Sequence, residues 1–206
     1  VRYRTIREIW DEILNLPKEK NVAAGIDGLN ELTGGYKVPS LTVVGGSTGH
    51  GKTTVLLAEA LFLARAGHPV AIVTLELSRL EIVEDKLSKM ASIEEMGNIE
   101  ILDMCREDDE ITSKTSRWIK DRSGGPIPIV IVDYAQRIFA SGRSHNRERE
   151  VAQVMETFQV FSRSHNCVVI MGAQLNREAA KSKGEPALHH FRESGLIEQV
   201  SDTALL

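Results

Sequence analysis

An α/β fold is predicted, with a mostly parallel twisted sheet covered by helices on both faces. Three features predict it. Short apolar runs rich in Val and Ile recur along the chain, among them Val70–Leu75, Ile127–Val132 and Val168–Ala173. Longer helical patterns separate them, and strands buried on both faces read as such unbroken runs. A glycine-rich turn, Gly46-Ser47-Thr48-Gly49-His50-Gly51-Lys52-Thr53, joins the first strand to the first long helix. The 206 residues suffice for one such domain with a substantial core.

Taken in order, residues 5–16 predict an amphipathic helix. Thr5 and Glu8 have capping-box spacing, while Ile6, Ile9, Trp10, Ile13 and Leu14 repeat at helical intervals. Pro17 and Lys18-Glu19-Lys20 end it. A helix this short is marginal alone in water, so its apolar stripe needs either the chain's own core or a neighbouring subunit. Gly25 to Gly35 is rich in turns around a short helical centre. Strands are expected at 41–45, 70–75, 99–102, 127–132, 168–173 and from Thr203 onward. Helices are expected at 52–66, about 79–90, 110–122, 147–164 and 195–200. Ser78 and Glu81 form a second capping box. The acidic run Glu107-Asp108-Asp109-Glu110 suits a helix start, where it opposes the dipole favourably, and no chemistry is assigned to it. The chain stops at Leu206 within an apolar run, so the domain is expected to be incomplete at its C-terminus.

A formal net charge of −4 argues against a molecule coated in basic surface, and any nucleic-acid contact must come from local clusters. Cys105 and Cys167 lie far apart without metal-ligand spacing; Cys167 opens an apolar run and reads as core packing in a reducing compartment. No apolar stretch reaches the roughly 18 residues of a membrane span, and the charged N-terminus is no signal peptide. A cytoplasmic protein without membrane partners is expected.

The glycine-rich turn has the form of a phosphate-binding P-loop. Its glycines let backbone N–H groups converge on phosphates, and the helix N-terminus adds a favourable dipole. Gly46, Ser47, Thr48, Gly49, His50, Gly51, Lys52, Thr53 and Thr54 would form the cradle. Lys52 would reach the β- and γ-phosphates, and the Thr53 hydroxyl would hold Mg²⁺. Asp133 ends the β-branched run Ile129-Val130-Ile131-Val132, where a lone carboxylate can hold Mg²⁺ through water. Glu76 ends the strand 70–75, expected beside the P-loop strand, and is the candidate for orienting and deprotonating an attacking water. Gln174 ends the strand 168–173 and is the candidate for sensing a γ-phosphate. ATP and Mg²⁺ are the expected ligands. Each of these residues has a plainer alternative: a strand-ending carboxylate, a surface Glu before a capped helix, a loop amide.

The order of these parts resembles a family. Leu32-Thr33-Gly34-Gly35, the P-loop, Thr74-Leu75-Glu76-Leu77-Ser78, Val130-Ile131-Val132-Asp133-Tyr134, Gln174-Leu175-Asn176-Arg177 and the segment Phe191 to Gln199 look like the RecA-like motor domain of DnaB-type replicative helicases. The resemblance covers about residue 24 to the end, with the preceding helix matching a linker helix (1–20) that packs on the adjacent subunit. It implies a RecA-like P-loop NTPase fold and a homo-hexamer that translocates on single-stranded DNA and unwinds duplex during replication. A bacterial cytoplasmic setting and partners such as primase and a helicase loader are also implied. Lys52, Thr53, Glu76, Asp133 and Gln174 match the family's nucleotide-handling positions; Arg192, Glu193 and Gly195 match its DNA-gripping loop. Three departures stand out. The 206 residues given are not expected to include the family's additional N-terminal domain, the stretch between Leu87 and Ile99 is short, and the arginine finger would fall beyond Leu206. As given, the chain is therefore expected to hydrolyse ATP weakly.

Two loops carry local positive charge: Arg143, Arg147 and Arg149 after the Asp133 strand, and Arg177, Lys181, Lys183 and Arg192 after Gln174. Both could face a central channel, or could be ordinary solvated loops. Phe191 is the chief aromatic nearby, so backbone electrostatics rather than base stacking would carry any grip on a strand. Alternatives are a RecA-like recombinase or clock-type ATPase that does not unwind, a small-molecule kinase, and a subunit that binds ATP only to hold an assembly together.

Overall fold

A computed structural model describes residues 5–8, 10, 21–103, 106–142, 146–176, 187–191 and 197–206. The apolar runs form strands β1 (Ser40–Gly46), β2 (Val70–Thr74), β3 (Ile99–Asp103), β4 (Ile129–Asp133), β5 (Val168–Gln174) and β6 (Thr203–Leu205). Helices are α1 (Leu29–Thr33), α2 (Lys52–Arg65), α3 (Asp108–Lys120), α4 (Arg147–His165) and α5 (Ile197–Val200). The strands make one sheet in the order β3-β2-β4-β5-β1-β6, and every pairing is parallel.

Strand alternation sorts the core into two layers. Val70, Ile72, Ile129, Ile131, Val168 and Ile170 face α2, packing with Leu56, Leu57, Ala60, Leu61 and Leu63. Ala71, Val73, Val130, Val132, Val169 and Met171 face the other way, against Ile111 and Trp118 of α3 and Val151, Met155 and Phe158 of α4. Full burial of each large apolar side chain contributes about 1.5–3 kcal/mol, which is why both faces must be covered. Cys167 is buried in the second layer, and burial pushes its thiol up to about 12, leaving it inert.

Two expectations are corrected. β2 does not flank the P-loop strand: β5 and then β4 lie between β1 and β2. Burial does not distinguish the two, since β2 and β5 are both buried along their length and laddered on both sides; the order follows from how the crossovers pack. The helix predicted at 79–90 is mainly a π-helix, Glu81–Lys86, running into a 3₁₀ turn at Leu87–Lys89. Its buried residues, Ile82 and Leu87, are five apart. In an α-helix such a pair diverges by about 140°, whereas the wider π turn brings both toward the core. The predicted cap is present: the Ser78 amide donates to Glu81 Oε2 at 2.8 Å and the Glu81 amide to Ser78 Oγ at 3.3 Å.

The acidic run begins α3 as expected, yet Asp108 does more than oppose a dipole. It is buried and accepts from the Ser141 amide at 2.8 Å and Thr157 Oγ1 at 3.1 Å, tying α3 to the loop after β4 and to α4. At the N-terminus the Thr5–Glu8 cap forms, with the Thr5 amide donating to Glu8 at 2.7 Å. Ile6 and Trp10 are 85% and 59% exposed. The rest of the helix predicted at 5–16, and Cys105, lie outside the described residues. Among the described residues no helix is long and apolar enough to cross a membrane.

Glu59 of α2 is buried and accepts the Gly25 amide at 2.8 Å. Burial raises its carboxyl above the ordinary 4.5, outweighing the Gly25 bond. The folded state therefore keeps a proton that the unfolded chain loses, and this group's contribution to stability falls as pH rises from 4.5 through the raised value. Glu59→Gln retains an acceptor for Gly25 without the charge. Its stability relative to wild type is expected to improve as pH rises from 4.5 through that raised value, measured by urea midpoints. A variant midpoint that tracks the wild type's across that range would remove Glu59 as the cause.

Candidate functional site

The P-loop leaves β1 at Gly46 and enters α2 at Lys52. Gly49 and Gly51 have φ of 79° and 82°, the left-handed region where a side chain is strained, so the turn needs glycine there. Ser47, Thr48, Gly49, Gly51, Lys52, Thr53 and Thr54 line a cavity of about 260 Å³ together with Glu76, Lys86, Tyr134 and Gln174. Gly46 and His50, also expected in the cradle, are not in that lining; His50 is exposed, and its amide donates to Ser47 O at 3.2 Å.

Strand parity delivers the remaining groups. Asp133 shares its face with Ile129 and Ile131, and Gln174 with Val168 and Ile170, so both reach the α2 side of the sheet. Thr53 Oγ1 donates to Asp133 Oδ2 at 2.6 Å. Asp133 Oδ1 is buried and has no hydrogen-bond partner. Burial pushes the Asp133 carboxyl above its ordinary range, against the pull of Thr53 and Lys52. A buried carboxylate oxygen with nothing to accept is costly. A hydroxyl and a carboxylate in contact, beside space for phosphates, fit Mg²⁺, which typically takes one or two carboxylates, substrate phosphates and its own waters. Among the described residues no cluster of three or more His, Cys, Asp or Glu offers an all-protein alternative.

Lys52 is half-buried, and burial lowers its pKa, opposed by the charges of Asp133 and then Glu76. Its ammonium lies 4.2 Å from the centre of the Tyr134 ring, a cation–π contact. The stem passes over Gly172, where an added Cβ would come within 3.3 Å of the Lys52 side chain. That glycine, inside an otherwise apolar run from Val168 to Ala173, marks the close approach.

Gln174 Nε2 donates to Thr48 Oγ1, joining the end of β5 to the P-loop. Its backbone is held by a residue the sequence reading missed: Gln136 Oε1 accepts from the Gln174 amide at 3.0 Å, and Gln136 Nε2 donates to Gln174 O at 3.3 Å. Glu76 reaches the cavity although β2 is not next to β1, because the β2–β4 register sets Thr74 opposite Asp133. Its Oε1 lies 3.6 Å from Arg137 Nη2. Arg137, also missed, has Nε donating to Tyr134 Oη at 3.1 Å. No periodicity marks Gln136 or Arg137, since both lie in the 3₁₀ turn Ala135–Arg137.

Of the cations predicted to meet DNA, Arg147 is described, and it is turned inward. It pairs with Glu150 and donates to Gln136 O at 2.7 Å and Ile138 O at 3.1 Å, with its guanidinium over Phe139. It thus secures the turn after β4, because its place at the first residue of α4 aims it at those carbonyls. Phe191 is 4% exposed and packs near Gly45, so it is core and offers no face to a base. Arg143, Arg177, Lys181, Lys183, Arg192, Glu193 and Gly195 lie outside the described residues. Arg149 is exposed near the start of α4.

Comparison with known proteins bears on the family and the fold. The family described as "DnaB-like helicase C terminal domain" matches over residues 21–116 and 103–206. The replicative DNA helicase DnaB of Mycoplasma pneumoniae is 28% identical over 223 residues, spanning 90% of this chain and 46% of that protein. That of Leifsonia xyli is 29% identical over 216 residues, spanning 90% and 46%. The chain therefore spans about half the length of the curated relatives it matches. Among solved structures, a DnaB-like replicative helicase described with its interactions with primase superposes with a TM-score of 0.80 at 24% identity, over 97% of this chain and 56% of that one. A second solved structure, described as an ATPase domain, gives 0.79 at 23% identity, over 97% and 80%. A KaiC-like protein of Pyrococcus horikoshii gives 0.65 at 21%, over 90% and 79%. These likenesses establish a RecA-like α/β fold, and with the family match over nearly the whole chain, this chain belongs to the family of DnaB-like helicase C-terminal domains.

Proposed function

We propose that this chain is the motor of a ring helicase, hydrolysing ATP to move along single-stranded DNA and unwind duplex during replication. One observation carries the reading: P-loop, Asp133 with its unpartnered Oδ1, Glu76 and Gln174 converge at one sheet edge. Residues 21–206 would form the motor and residues 1–20 a linker helix, whose exposed Ile6 and Trp10 would dock on the next subunit of a hexamer. Primase and a loader are further candidate partners, in a bacterial cytoplasm.

Thr53 and Asp133 would hold Mg²⁺, which would neutralise charge developing on the phosphates. Glu76 takes a proton from the water that attacks the γ-phosphorus in line, and the ADP oxygen leaves. Lys52 exchanges the Tyr134 ring for phosphate oxygens, a stronger charge-assisted partner. Gln174 exchanges Thr48 for the γ-phosphate. Its movement passes through Gln136 into the turn after β4, and directly into the chain beyond Asn176, where Arg177, Lys181, Lys183 and Arg192 would grip the DNA backbone.

The test is strand displacement on a forked duplex by the full chain, with ATP hydrolysis followed in parallel. Arg192→Ala is expected to leave nucleotide affinity unchanged, weaken single-strand binding and abolish the stimulation of hydrolysis by DNA. On single strands each lost phosphate contact should reduce the salt slope by about 0.7. An unaltered slope and affinity would refute the loop's role. The likeness to a KaiC-like protein supports a second reading, an ATPase that assembles without unwinding. DNA-stimulated hydrolysis with no displacement would favour it.

A further inference from the structure

We infer that Arg137 is a positioning residue for hydrolysis, acting through Glu76; the inference rests on the reading of Glu76 as the base. Glu76 sits on the bend just after β2, and its side chain is 42% exposed, so packing alone does not fix the carboxylate. Arg137 supplies a fixed point. Its Nη2 lies 3.6 Å from Glu76 Oε1, its Nε donates to Tyr134 Oη at 3.1 Å, and its guanidinium stands 5.7 Å from the Tyr134 ring centre. The same ring carries Lys52 at 4.2 Å. The proposed catalytic carboxylate is thereby referenced, through Arg137, to a rigid aromatic.

The turn that bears Arg137 is itself secured from two sides. Gln136 is bonded to both backbone groups of Gln174, and Arg147 to the carbonyls of Gln136 and Ile138. With Arg137 38% exposed, the pair adds little to stability. Its worth lies in orientation, since placement errors of about 1 Å at a reacting group can lower rates up to a hundredfold. Pairing through Oε1 leaves the carboxylate with lone pairs for a water, because a carboxylate accepts at about four sites.

The experiment measures kcat, KM and nucleotide affinity of the full chain with ATP, Mg²⁺ and single-stranded DNA. Arg137→Ala is expected to lower kcat by roughly ten- to a hundredfold while KM and affinity stay within about twofold. Arg137→Lys, which restores charge without the planar fork, is expected to recover part of kcat. Arg137→Gln, which keeps a donor for Tyr134 without charge, guards against misfolding and is expected to resemble Arg137→Ala. Wild-type kcat in Arg137→Gln overturns the assignment, as does a change confined to KM and nucleotide affinity. Glu76→Gln separates the two levels. If it turns over normally, the base assignment has failed; if it is inactive while Arg137 variants keep wild-type kcat, only the role of Arg137 has failed.

Discussion

Glu76→Gln is expected to bind ATP as tightly as wild type and to lose roughly 10²- to 10⁴-fold in kcat. The substitution keeps shape and hydrogen bonding but cannot take a proton. Glu76 is half-exposed at the rim of the cavity, so no core contact is lost and the folded state should be unaffected. A fluorescent nucleotide titration and a phosphate-release assay on the same preparation separate binding from turnover. Undiminished release would move the base elsewhere in the cavity.

Asp133→Asn is expected to pull stability and activity in opposite directions. In the protein without metal, Asp133 is buried, and burial raises its carboxyl above the ordinary 3.8. Such a group contributes less stability as pH rises from 3.8 through the raised value, so above 3.8 its burial is a growing burden. Asparagine keeps an acceptor for Thr53 and leaves a neutral group where Oδ1 lay unpartnered. The variant should therefore resist urea better than wild type at neutral pH and not at acid pH. With Mg²⁺ and ATP the order reverses: hydrolysis should fall by about 10² or more, because a neutral amide holds hydrated Mg²⁺ poorly. Nucleotide affinity that still responds to Mg²⁺ as in wild type would remove Asp133 from the metal site.

The fold was legible because burial on both faces leaves a plain mark. Ile129–Val132 and Val168–Ala173 are unbroken apolar runs, and each became a central strand. Strand order was less legible. Nothing in Val70–Leu75 states that β5 will come between it and β1, since order follows from how crossovers pack and not from composition. That the glycine-rich turn, Asp133 and Gln174 would meet at one sheet edge was readable from position alone, because each ends a parallel strand on the same side. Arg137, Gln136 and Arg147 were not. Two lie in one 3₁₀ turn and the third begins a helix, and besides the nearby Tyr134 and Glu150 their partners are backbone groups or residues far along the chain. Charge suggested that Arg147 faces solvent, but carbonyls left open by the turn claim it first.

The place of β5 between β1 and β4 has a mechanical consequence. Tension on the chain beyond Asn176 enters the sheet through the end of β5, which is laddered to β1 from Ser40 to Gly46 and to β4 from Ile129 to Val132. Pulling along such a strand shears two ladders at once, so many bonds resist together. An edge strand such as β6, held on one side only, would peel bond by bond. Work done on the segment after Gln174 would thus be delivered stiffly to the two strands that end in the glycine-rich turn and in Asp133, with little lost to stretching in between.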